Sequence, residues 1–109
     1  KINKMKVAHF TNYSILELEN NSQFDELKAF LLKHNNTCPH IIIDIISFNI
    51  DDNKIVKTLL PFHLNWEKRN KSFILVSLIE KDLLKNLVSL SSREEAVDFF
   101  YMEELTRSI

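Results

Sequence analysis

Residues 41–71, IIIDIISFNIDDNKIVKTLLPFHLNWEKRNK, decide how this chain is read. Ile41, Ile42, Ile43, Ile45 and Ile46 are interrupted only by Asp44. A strand with one wet face would alternate apolar and polar residues, so this run predicts a strand covered on both sides and helices above and below a sheet. Asp51 or Asp52 then stands where a side-chain oxygen can accept from the free amides of a first helical turn, a cap worth roughly 1 kcal/mol. After it Ile55, Val56, Leu59, Leu60, Phe62, His63 and Trp66 recur at helical spacing, with Pro61 among them. A proline inside a regular helix removes a backbone bond and costs roughly 3 kcal/mol, so a kink near Thr58 or a break into two segments is expected.

Upstream of this junction, Met5 to Phe10 and Tyr13 to Leu18 are β-leaning runs separated by Thr11-Asn12, which reads as an N-terminal hairpin. The second run shifts towards alternation at Glu17, Leu18 and Glu19, placing that strand near a sheet edge or giving it one wetter face. Ser22 with Asp25 begins a helix in a pattern like a capping box, and Phe24, Leu27, Phe30 and Leu31 form its apolar stripe. His34 to Asn36 close it, and Cys38-Pro39 predicts an extended entry into the central strand. Downstream, Ser72 to Leu78 is a second apolar strand, and Glu80 or Asp82 opens a short helix with Leu83, Leu84 and Leu87. Val88 to Leu90 is the candidate for a brief last strand. Ser92 with Glu95 starts a C-terminal helix whose Ala96, Val97, Phe99 and Phe100 face the core. Single helices between strands imply parallel pairing through right-handed crossovers, with the hairpin adding an antiparallel edge.

The 109 residues fit one domain, 1–109, and bury roughly two thirds of the unfolded surface. Formal charge is −1, so no global field attracts nucleic acid or anionic lipid. One cysteine, Cys38, precludes an internal disulfide and suits a reducing compartment. No apolar run approaches the roughly 20 residues that span a bilayer, and the start, KINKMKVAHF, lacks the apolar core of a signal peptide. A cytoplasmic protein is expected. Glycine is absent altogether, which excludes the phosphate-cradling loops of nucleotide-binding folds.

The segments HIIIDIISFNIDDNKIVKTLL, KSFILVSLIEKDLLKNL and SSREEAVDFFYMEEL together resemble the STAS domain of sulfate transporters and bacterial anti-sigma-factor antagonists. The resemblance implies an α/β fold with a mixed four- to five-stranded sheet, an N-terminal hairpin and about four helices. It also implies a bacterial regulator that works by binding another protein, such as an anti-sigma-factor-like kinase, without cofactor or metal. With Asp44 set on the family's strand aspartate, Asp52 falls on the aspartate of its Asp-Ser-Ser-Gly-Leu motif. Asn53 and Lys54 then replace the two serines, Ile55 the glycine and Val56 the leucine. The second serine is the phosphoacceptor in phosphoregulated members; Lys54 has no hydroxyl, so that switch cannot operate at this position. Ile50, Asp51, Asp52, Asn53, Lys54 and Lys57 become the expected partner-binding surface.

Blander readings stand beside these. Asp at a helix start already has a local reason in capping, and Asp44 is read as accepting backbone hydrogen bonds from the loop that follows. A phosphoacceptor role for Asp44 would need acidic metal ligands near the first strand end, where HFTN offers none. His9, His34, His40 and His63 have no ligand spacing with one another or with Cys38. Phe62 and Trp66 are read as core. Phe99, Phe100, Tyr101 and Met102 are more than one face can bury, so a homodimer or partner contact through the C-terminal helix is the alternative, as in a structural subunit of a larger complex. No paired acid and base supports an enzyme.

Overall fold

The computed structural model describes residues 4–47 and 49–109. Lys1 to Asn3, part of the chain start read above, and Phe48, inside the quoted junction, lie outside the described residues. The elements run β1 (Lys6–His9), β2 (Ser14–Glu17), α1 (Ser22–Lys33), β3 (Ile41–Asp44), α2 (Asp52–Lys68), β4 (Phe73–Val76), a 3-10 turn (Lys81–Leu84), β5 (Val88–Leu90) and α3 (Arg93–Arg107). The sheet order is β1-β2-β3-β4-β5, antiparallel between β1 and β2 and parallel elsewhere. The fourth expected helix is the 3-10 turn.

Because successive parallel strands are neighbours, right-handed crossovers put α1, α2 and the turn on one face of the sheet. α3 follows the last strand and covers the other. The two-residue period of β3 divides accordingly. Ile41 and Ile43 pack with Phe24, Leu27, Leu31, Ile55, Leu59 and Trp66, whereas Ile42 packs with Ala96 and Phe100. The isoleucine run is thus buried on both faces, but the strand ends at Asp44; Ile45 stays buried and Ile46 begins an exposed turn. β2 is second from the edge, because β1 takes the edge itself and all four β1 residues are exposed.

α2 is one continuous helix through Pro61, so of the two expected outcomes, a kink or a break into two segments, the break does not occur. Pro61 and Lys57, whose carbonyl loses its bond, are both exposed, so water can occupy the vacated site. Caps depend on backbone geometry more than on residue type. Ser92 is extended, at φ −149° and ψ 160°, and its hydroxyl accepts the Glu95 amide at 3.1 Å. Asn21, the N-cap of α1, is helical and its side chain makes no cap bond; Asn20 Oδ1 accepts the Ser22 amide at 3.1 Å instead, in place of the expected box. Asp51 is the N-cap of α2, yet only its backbone oxygen bonds, accepting the Ile55 amide at 3.1 Å. The side-chain cap expected there is not made.

With no glycine available, positive φ falls on Cys38 (43°), Asn70 (60°) and Lys85 (57°). Cys38 therefore turns left-handed, correcting the expected extended entry, and its amide closes onto the His34 carbonyl at 2.8 Å. Lys85, with ψ −123°, is the first central residue of a turn closed by Leu87 N–H to the Leu84 carbonyl at 3.1 Å. That conformation favours glycine, and a side chain there costs about 1–3 kcal/mol.

Candidate functional site

Parallel strands deliver their carboxyl ends to one rim of the sheet, where the loops into α2, the 3-10 turn and α3 meet. Register sets Glu17 beside Asp44 on adjacent strands and on the face that α3 covers. Two neighbouring carboxylates need a cation, and Arg93, the first residue of α3, supplies it. Its Nε donates to Asp44 Oδ2 at 2.6 Å, and its NH2 lies 3.0 Å from Glu17 Oε1. The hydrogen bond to Asp44 raises the guanidinium pKa above its ordinary value; burial opposes it in part, and the hydrogen bond to Glu17 adds to the rise. Asp44 Oδ1 accepts the Ile46 amide at 3.0 Å, so the same carboxylate shapes the loop that leads to α2, as the sequence predicts. Asp44 is only 8% exposed and both its oxygens are engaged. Sequence reading missed Arg93; the signal was an arginine just inside a capped helix, opposite acids closing two strands.

The expected surface residues Ile50, Asp51, Asp52, Asn53 and Lys54 share this rim, and Lys57 lies one turn farther along α2. Ile50 leans on the core and Asp52 is half-buried, while Asp51, Asn53, Lys54 and Lys57 are exposed. Lys54 Nζ sits 5.4 Å from the centre of the Phe24 ring, a cation–π contact that ties the start of α2 to α1. Thr58, the nearest downstream hydroxyl, is half-buried within the helix.

Beside these residues stand apolar side chains that sequence reading assigned to strands. Ile46 is 39% and Leu78 74% exposed, because β3 and β4 end earlier than their apolar runs do. Leu78 rises between two shallow grooves of about 220 and 200 Å³, which share Ser77, Leu78 and Ile79. Beneath them the buried hydroxyls of Ser77 and Ser89 meet at 2.7 Å.

The opposite end of the sheet is clasped by the tail of α3. His40 Nδ1 accepts the Ser72 amide at 2.9 Å and its Nε2 lies 3.5 Å from Glu104 Oε1. Ser72 Oγ donates to Glu103 at 2.7 Å and accepts from Arg107 at 3.1 Å, and Arg107 also pairs with Glu104 at 3.1 Å. Burial lowers the His40 pKa, Glu104 opposes that, and Lys71 and Arg107 reinforce it. The unfolded imidazole therefore takes up its proton at higher pH than the folded one, so stability is complete above about pH 6.5 and declines below it. The thermal midpoint of His40→Asn, whose amide oxygen can accept from Ser72 without titrating, should fall less between about pH 7 and about pH 5.5 than that of the parent. Parallel declines would show that Glu104 cancels the effect of burial.

The other histidines are dispersed. His9 bonds Ser14 Oγ, His34 lies on Phe30, and His63 is buried against Phe73. Among the described residues no group of three His, Cys, Asp or Glu is placed to hold a metal, and no helix is long and apolar enough to cross a membrane. Cys38 is buried, and burial raises its thiol pKa above the ordinary range. On α3, Phe100 is buried and Phe99 half-buried, whereas Tyr101 is 47%, Met102 65% and Leu105 67% exposed.

No protein-family model and no curated protein sequence matches this chain. Among solved structures it is similar to RsbS from Moorella thermoacetica, in a variant carrying glutamate in place of a serine, with a TM-score of 0.69 at 15% identity. That match covers 94% of this chain and 97% of the other. The fold is that of the STAS domain, as the sequence resemblance implies.

Proposed function

We propose that this chain is a non-catalytic interaction module, related in role to bacterial anti-sigma-factor antagonists, that acts in the cytoplasm by binding another protein. An anti-sigma-factor-like kinase or another regulator is the kind of partner the fold suggests. Docking uses the rim formed by Ile50, Asp51, Asp52, Asn53, Lys54 and Lys57 together with Ile46 and Leu78. The observation that carries this reading is the exposure of Leu78, at 74%, beside a charged helix mouth in which Asp51 to Lys54 contain no hydroxyl. Docking is consequently constitutive with respect to phosphorylation at the family position.

Two measurements test this. Asp52→Ala with Lys54→Ala should abolish capture of the cellular partner while leaving the circular dichroism spectrum unchanged; retention of the partner refutes the assigned surface. Incubation with lysate and ATP should leave residues 51–58 unmodified, and stoichiometric phosphate on Thr58 would overturn the claim of a lost switch.

A second reading has its own observation. The outer face of α3 presents Tyr101, Met102 and Leu105 to solvent, as expected of a homodimer or of a structural subunit docked through that helix. Under it, the double alanine variant retains its partner and Met102→Asp with Leu105→Asp loses it.

A further inference from the structure

We propose that the rim seats an amphipathic helix of the partner whose apolar face is flanked by lysine and arginine. This rests on the docking reading above and adds the chemistry of the occupant.

The form of the occupant follows from what the rim does not offer. β3 and β4 are interior strands, hydrogen-bonded on both sides, so their carboxyl ends present no free sheet edge to an added strand. Recognition must pass through side chains, and the partner's backbone must satisfy its own hydrogen bonds, as a helix does. Leu78 and Ile46 stand out from the surface, with the two shared grooves on either side of Leu78. Ridge and groove together suit the apolar stripe of a helix.

Charge identifies the flanks. Helices of a parallel sheet start at the carboxyl ends of its strands, and first turns favour acidic residues, so acids accumulate on this rim. Among the described residues, Asp51, Asp52, Glu80, Asp82 and Glu94 enter no ion pair, whereas Glu103 and Glu104 at the far end are paired with Arg107. The local lysines offset this only partly. Lys57, Lys81, Lys85 and Lys54, which lies over Phe24, stand against these five acids and Glu95. Unpaired carboxylates around an apolar centre complement a basic amphipathic helix.

Two fluorescent peptides of about 18 residues, one of leucine and lysine at helical spacing and the other with glutamate for lysine, provide the probe. Anisotropy at about 0.1 M salt should show binding of the lysine peptide and affinity for the glutamate peptide weaker by about tenfold or more. Leu78→Gln, a neutral change at an exposed position, should cost the lysine peptide about tenfold. Asp51→Asn with Asp52→Asn should weaken it a few-fold and flatten its salt dependence. Equal affinity for both peptides, absence of binding by the lysine peptide, or indifference to Leu78→Gln would each overturn the proposal. If the peptide measurements fail while Asp52→Ala with Lys54→Ala still abolishes partner capture, the docking rim stands and only the partner chemistry falls.

Discussion

Replacing Trp66 by alanine is expected to lower stability by about 3–5 kcal/mol, enough to unfold much of a domain whose total stability is of order 5–15 kcal/mol. Trp66 is fully buried on α2, meets Phe73 edge-on at 5.5 Å, and donates its indole N–H to the Pro39 carbonyl at 2.7 Å. The residue therefore serves two purposes. Its rings fill the space between α2 and the starts of β3 and β4, and its polar atom satisfies a carbonyl just after the left-handed turn at Cys38. Trp66→Phe separates them: it retains most of the apolar volume but strands the carbonyl, for a smaller loss of about 1–3 kcal/mol. Denaturant titration of the three proteins checks this order. A loss below about 1 kcal/mol for the alanine variant would mean that the helix does not pack through this residue.

Arg93→Ala should cost about 2–3 kcal/mol, although the arginine side chain is 41% exposed, because it leaves a carboxylate of 8% exposure without its cation. The loss has a signature that simple truncation lacks. Asp44→Asn removes the stranded charge, so the double variant should recover part of the loss and give a coupling of about 1 kcal/mol or more in a double-mutant cycle. The Ile46 amide, held by the other oxygen of Asp44, should also exchange faster with solvent in Arg93→Ala than in the parent. Additive losses with unchanged exchange at Ile46 would show that the guanidinium neither neutralises Asp44 nor steadies the loop into α2. The outcome bears on the proposed function, since that loop carries Ile46 and Ile50 to the rim proposed for docking.

Much of the rim could be anticipated from local pattern, and the gaps have identifiable causes. Residues 50–54 were legible because a buried strand running into an acidic helix start is a local signature. The exposure of Ile46 and Leu78 was not, since both continue apolar runs. Nothing in a run of isoleucine or leucine marks the residue at which strand pairing stops. Arg93 was silent for a different reason: its partners, Glu17 and Asp44, lie on other elements, and only the parallel register brings them side by side.

Composition and periodicity by themselves determined the α/β class, the burial of β3 on both faces and the order of the elements. These depend on which side chains leave water at each position, a property carried by neighbouring residues. Tertiary structure alone decided which helices share a face, where each strand ends, that α2 passes unbroken through Pro61, and that the Asp51 side chain leaves its helix uncapped. Those outcomes turn on pairing between distant segments and on backbone angles set by packing, where differences of about 1–3 kcal/mol override local preference.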